Sequence, residues 1–427
     1  MISKERDGES EARLSAGPSD IHPMRRGWAH WRGDVAFLCG MLTLTLLTGV
    51  SLSAVGNVLT APSRASRSAA TSRATTPFVT SAGSSSVSTA CRVTSTAVTT
   101  DTAPGSSSPA TANVIAATTR DYAVGQPNLA FMQGAVDAQD NLWVGAMDAN
   151  TLDRISATSG SLLACSPPSG AGGIMQTTVD SQGEIWFTEQ NANYIGEFTP
   201  SKQTFKTYPL GEVNGHGMGP QDLAFDTNGA LWFTELTGGA IGRFDPATGV
   251  IRSYPVPAPA AGSPSLPFAL AITGDGQVWF GDLSGGAVGR LDPATGAVQL
   301  YHLANPQAEI FSLAADATGR LWFTELEQGK IGMVDSRTGQ VAEMPVPTTL
   351  GTVSGLYAIT VTPNGAVWFA SASLNALIRY IPQTGAFTFY TLALPASVPY
   401  GLSQDSTGNL WFTASRAPYN YVGELRP

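Results

Sequence analysis

Four carboxylates recur at one point of a repeated pattern: Glu189, Glu235, Asp282 and Glu325. Clustered carboxylates are the ligands a hard cation such as Mg²⁺ or Ca²⁺ takes. With strands about 4.8 Å apart, equivalent positions in neighbouring units stand roughly 10 Å apart, so one ion joins at most two of them. The alternative is that each carboxylate accepts hydrogen bonds from the loop of its own unit. A candidate general base is His216, in the glycine-rich stretch Asn214-Gly-His-Gly-Met-Gly-Pro220. A flexible loop either carries such a histidine to a substrate proton or leaves it solvated. Tyr400 is the second candidate base. A third group holds one residue per unit: Met132, Met175, Gln221, Phe268, Phe311, Tyr357 and Tyr400. Large apolar side chains with a few polar tips either line a ligand pocket or fill the space themselves. No nucleophile elbow, zinc-ligand spacing, phosphate-binding loop or dinucleotide fingerprint occurs in the chain.

These residues are placed by a repeat. Trp143, Trp186, Trp232, Trp279, Trp322, Trp368 and Trp411 follow one another at intervals of 43, 46, 47, 43, 46 and 43 residues. Each interval holds four short strand candidates. In the third unit they are 222–225, 230–235, 240–244 and 250–254, separated by Asp226-Thr-Asn-Gly229, Thr237-Gly-Gly239 and Asp245-Pro-Ala-Thr-Gly249. Asp or Thr opens such a turn with a side-chain hydrogen bond, and Gly supplies the positive φ. Four strands in a unit of about 40 to 50 residues make a propeller blade, so seven units predict an all-β, seven-bladed β-propeller over 114–427. The tryptophans then pack between blades. The last unit ends at Tyr421-Val-Gly-Glu-Leu-Arg-Pro427 without a fourth strand, and 114–124 looks like one. That segment is expected to close the last blade and remove an exposed edge. Longer loops lead into the third, fourth and sixth blades, before Gln221, Phe268 and Tyr357. Loop growth on one face points to a ligand there.

Composition agrees. The 427 residues include 46 Gly and 28 Pro but only 13% charged side chains, which favours tight turns over solvated helices. From Val114 onward there are 25 acidic and 13 basic residues, and the first 113 hold 7 and 10, so a propeller of −12 follows an N-terminus of +3. The acidic balance argues against nucleic acid. Residues 1–34 are polar and carry Arg25, Arg26 and Arg32 ahead of an apolar run at 35–59. That run reads as a signal peptide or a membrane anchor, placing the propeller outside the cytoplasm. Residues 60–113 are Ser, Thr, Ala and Pro and are expected to form a disordered linker. Cys91 in the linker and Cys165 in the propeller either pair in an oxidising compartment or stay free.

The repeat also carries a family resemblance. Leu231-Trp-Phe-Thr-Glu235 with Ile241-Gly-Arg-Phe-Asp245 returns as Leu321-Trp-Phe-Thr-Glu325 with Ile331-Gly332. Tandem units of this form resemble the streptogramin B (virginiamycin B) lyases over roughly 120–427. The resemblance implies a seven-bladed propeller that opens a cyclic depsipeptide by magnesium-assisted elimination at its ester. It implies a general-base histidine in the step that reads Pro399-Tyr-Gly-Leu402 here, so Tyr400 takes that place. Tyr357 stands where the family has a substrate-binding histidine. Val398 stands at one family acid and Ala414 or Ser415 at another. All four positions depart from the pattern.

Two functions follow. One is an exported propeller that binds a peptide, a glycan or a cyclic compound without the family's chemistry. The other is a metal-assisted lyase or lactonase-type hydrolase, with carboxylates such as Glu235 and Asp282 and with His216 or Tyr400 as base. The departures favour the first. The expected partner is a small ligand, with no nucleic acid, membrane contact only through the N-terminal segment, and a monomeric chain.

Overall fold

A computed structural model describes residues 77–427 apart from 89–90, 103–112, 125–129, 171, 214, 259–263, 349 and 417–418. The polar region 1–34 and the apolar run 35–59 lie outside the described residues. Among the described residues no helix is long and apolar enough to cross a membrane. Strands form seven antiparallel sheets, each built of four sequential strands apart from the last. Blades 1 to 6 span 131–165, 174–209, 220–255, 267–302, 310–345 and 356–391, and blade 7 begins at 399.

Each element of the repeat has a physical task. In blade 3, Asp226 Oδ1 accepts the amides of Asn228 (2.8 Å) and Ala230 (3.0 Å), and Oδ2 accepts the Trp232 indole N–H at 2.9 Å. The turn is thereby tied to the tryptophan that follows it by six residues. The same indole bond joins Asp137 to Trp143, Asp180 to Trp186 and Asp316 to Trp322. Trp232 itself packs against Leu270, Val278 and Phe280 of blade 4. The next residue, Phe233, sets the tip of its ring against Gly242 of the third strand, where a Cβ would come within 2.1 Å of it. A glycine is required there because the strand backbone and the ring are in direct contact. Thr234 then crosses to the neighbouring blade. Its Oγ1 accepts the Asp222 amide at 3.0 Å, where the innermost strand bulges, and donates to the Phe268 carbonyl at 2.9 Å. Thr188 and Thr324 make the same bond to Gln221 and Tyr357. All seven tryptophans are buried, as packing between blades requires.

The last blade is closed by an N-terminal strand as the sequence predicts, but only 118–123 of the expected 114–124 enters it, while the chain at 113–116 joins blade 6; the chain before that departs further from expectation. The segment 60–113 was expected to be disordered, yet its described part forms strands. β1 (Phe78–Ser81) adds to the outer edge of blade 3, β2 (Ser85–Ser88) to blade 2 and β3 (Arg92–Ser95) to blade 1. β4 (Ala97–Thr102) reaches blade 7, and β5 (Asn113–Ala116) runs parallel to the edge of blade 6. β6 (Thr118–Ala123) then enters blade 7 as its fourth strand, between Tyr419–Leu425 and β4. These girdle strands bury little; Val79 and Val93 are 57% and 72% exposed. Backbone hydrogen bonds to open sheet edges hold them, so a composition too poor in apolar groups for a core still becomes ordered. Cys91 and Cys165 are joined, which pins the girdle to blade 1.

Candidate functional site

The mouth of the ring is set by strand pairing. Pro220, at the start of the innermost strand of blade 3, faces Glu235 at the end of the second strand. The loop leading into a blade and the carboxylate position therefore share one end of the sheet. Because threonine bonds fix the carbonyls of Gln221, Phe268 and Tyr357, the side chains at these positions are the variable part of the rim.

Those side chains fill the channel. Phe268 and Phe311 have ring centroids 4.8 Å apart, and Phe311 meets Tyr357 at 5.1 Å and Tyr400 at 5.5 Å. Tyr357 and Tyr400 are 4.7 Å apart, so four blades contribute to one aromatic cluster. Met132, Met175 and Gln221 complete the ring and are buried. The remaining cavity measures about 150 Å³. Sites for drug-sized ligands run from about 300 to 1,000 Å³, so this space suits a few small groups and the ring acts as a plug.

Beneath the plug lies a polar layer that the sequence reading missed. Asp222 lines the cavity with Gln133, Gln176 and Ser312. Its carboxylate accepts the amides of Leu223 and Leu270, each at 2.8 Å, the second across the blade boundary. Gln133 likewise accepts the Leu402 amide at 2.8 Å across the closing seam. Burial raises Asp222 to about 7 despite those amide bonds. Burial, and then the Asp222 charge, hold the Tyr400 phenol well above its ordinary range. Tyr400 therefore keeps its proton near neutrality. The signal for Asp222 was one acid on the innermost strand directly ahead of the apolar Leu223-Ala-Phe225.

The other candidates stand apart. His216 is exposed on a two-stranded hairpin, Glu212–Val213 with His216–Gly217, in the loop leading into blade 3. It does not line the channel cavity. Glu189, Glu235, Asp282 and Glu325 are fully buried, one in each of four consecutive blades. Three are bonded within their own blade or its lead-in loop. Ser169 Oγ donates to Glu189 at 2.7 Å, and Ser253 Oγ to Glu235 at 2.6 Å. Asp282 accepts from Ser265, Leu266 and Ser284. Glu325 sits beside Glu343, which Lys330 bonds at 2.8 Å. Burial raises Glu189, Glu235 and Glu325 to about 7. A hard cation needs several ionised oxygens on one centre. Among the described residues no three His, Cys, Asp or Glu side chains are grouped to hold one. Val398, Ala414 and Ser415 bring no carboxylate to the places where the family's acids would stand. These residues do not fit the family's magnesium.

The family model for the virginiamycin B lyases matches residues 110–352, more than half the chain. The chain belongs to the virginiamycin B lyase family. A streptogramin B lyase structure is similar at 26% identity and a TM-score of 0.64, covering 72% of this chain and 97% of that one. Virginiamycin B lyase from Staphylococcus aureus matches at 24% identity with the same TM-score, covering 72% and 99%. A catalytically inactive variant of that enzyme, solved with quinupristin, matches equally well. No curated protein matches the chain. The family match stops at residue 352, ahead of Tyr357 and Tyr400, so it rests on the scaffold rather than on these rim positions.

Proposed function

We propose that this family member is an exported binding propeller, which holds a peptide, a cyclic compound or a glycan on the rim of its channel mouth and does not open a depsipeptide ring. The observation that carries this reading is Tyr400. At the place of the family's base stands a phenol that holds its proton and packs edge-on against Phe311. The aromatic plug offers a closed, apolar floor, and the loops ahead of Gln221, Phe268 and Tyr357 stand around it as the contact surface. Export is supported by the Cys91–Cys165 bond, since such bonds persist in oxidising compartments. The apolar run 35–59 is then the signal or anchor.

The test is direct. The purified protein is incubated with a streptogramin B antibiotic and Mg²⁺, and ring opening is followed by mass. No linear product above the protein-free control is expected; magnesium-dependent opening would overturn the proposal. Binding is read separately, as a rise in melting temperature with cyclic peptides, lactones or sugars, because a ligand that prefers the folded state stabilises it by mass action.

A further inference from the structure

The girdle steps around the ring in a fixed register. Phe78, Ser85, Arg92 and Thr99 are spaced seven residues apart, and they face Ser253, Thr207, Ala164 and Asp121. Those four partners are equivalent. Each precedes the residue (Tyr254, Tyr208, Cys165 or Tyr122) that pairs with the second or equivalent residue of the third strand: Ile241, Ile195, Leu152 or Val422. One blade is thus crossed per seven residues, in the order 3, 2, 1, 7. Among the described residues, the outer strand of blade 4, Val298–His302, carries no fifth strand. Its Tyr301 pairs with Val288, so Leu300 is the position equivalent to Ser253.

We propose that the outer edge of blade 4 is the docking edge for residues 71–76 of this same chain, with Thr71 opposite Leu300 and Arg73 opposite Val298. Two observations choose this occupant over a foreign strand. The interface is continuous: the girdle leaves blade 3 for blades 2, 1 and 7 in turn, blade 4 is the neighbour of blade 3 on the opposite side, and seven residues back from Phe78 is Thr71. The composition is also continuous, since Thr-Ser-Arg-Ala-Thr-Thr at 71–76 matches the Arg-Val-Thr-Ser of β3 in one arginine among small, mostly hydroxyl-bearing residues. An open row of N–H and C=O groups is the edge such a strand satisfies. The register further predicts that Ala70 and Tyr301 occupy the positions of Cys91 and Cys165, three blades away.

The experiment uses the full chain. Amide exchange across 298–302 is compared between the wild type and Thr71→Pro/Arg73→Pro, which removes the two ladder donors at the positions equivalent to Phe78 and Thr80, in phase with the Ala82 amide that bonds the Gly249 carbonyl. The outward amides are expected to exchange about fivefold faster or more in the variant, the factor that one ordinary hydrogen bond provides. Separately, Ala70→Cys/Tyr301→Cys is expected to form a cross-link under oxidising conditions, while the register-shifted pair Ala70→Cys/Gln299→Cys is not. Equal exchange in wild type and proline variant would overturn the proposal. So would a missing 70–301 cross-link in protein whose Cys91–Cys165 bond is intact. Protection that grows with protein concentration would assign the edge to a second copy and overturn it as well.

Discussion

Glu235→Gln should change the pH dependence of stability more than its size. Glu235 is fully buried, with Ser253 Oγ on one oxygen, and burial raises it from 4.5 to about 7. Between those values the folded protein holds a proton that the unfolded chain has released. Stability therefore falls as pH rises through this window. A displacement of this size corresponds to about 2 to 3 kcal/mol lost between about pH 5 and pH 8, at one proton or about 1.4 kcal/mol per pH unit in mid-window. Gln mimics the protonated acid, keeps an acceptor for Ser253 and does not titrate. Relative to wild type, the variant should thus gain about 2 to 3 kcal/mol across that range. Urea unfolding of both proteins at several pH values measures the difference. Parallel curves, differing by less than about 0.5 kcal/mol throughout, would show that Glu235 does not carry the buried proton and would refute the reasoning.

The remaining expectations concern the scaffold. Asp226→Ala removes two turn bonds and the Trp232 indole partner, and should cost about 2 to 3 kcal/mol in chemical unfolding. Gly242→Ala drives a methyl into the Phe233 ring and should cost about 1 to 3 kcal/mol by the same assay. Reducing Cys91–Cys165, with its sequence separation of 74, should lower stability by about 4 kcal/mol on the chain-entropy view, read as a lower melting temperature in reductant. Asp316 is held at about 2, chiefly by bonds from Thr318 and Trp322 that outweigh its burial, so its contribution is present above the unfolded value near 3.8 and lost as pH falls towards 2; Asp316→Asn should flatten that acid limb.

What the sequence revealed divides by repetition. An Asp six residues before a Trp, a Phe paired with a Gly across two strands, and a Thr after the Phe each recur. The ring, its blade count and the closing of its last blade by a strand within 114–124 were therefore readable from the repeat, though not that the first residues of that segment pair with blade 6. The girdle was not, because the expected disorder of 60–113 was judged by side-chain burial. β1 to β4 depend instead on backbone groups offered by the blades, which a reading of local composition does not weigh. The seven-residue step was present, yet it gains meaning only when Phe78 and Arg92 are seen facing equivalent residues. The carboxylates failed as a cluster for a related reason. Repetition around a ring of this radius separates equivalent residues rather than gathering them, and Glu189, Glu235 and Asp282 are bonded within their own blade or its lead-in loop.

The same construction explains how a family scaffold can accept different side chains at its rim. Thr234 and its counterparts hold the backbone of the next blade's lead-in residue through the carbonyl, which is common to every amino acid. The fold therefore places few demands on that side chain beyond fitting beside its neighbours. Phe268, Phe311, Tyr357 and Tyr400 fit by packing on one another, so replacing one aromatic alters the other contacts of the cluster and leaves the blade-to-blade bond in place. A histidine acting as a base at position 400 would need room for substrate and a proton path. The rings on either side occupy that room, and Asp222 below is already bonded to two amides. Restoring the family's residue at 400 alone should therefore yield a half-buried imidazole against Tyr357 and Phe311 and no ring opening of a streptogramin with Mg²⁺. The single variant Tyr400→His tests this, and measurable linear product from it would show that the rest of the lyase site is intact.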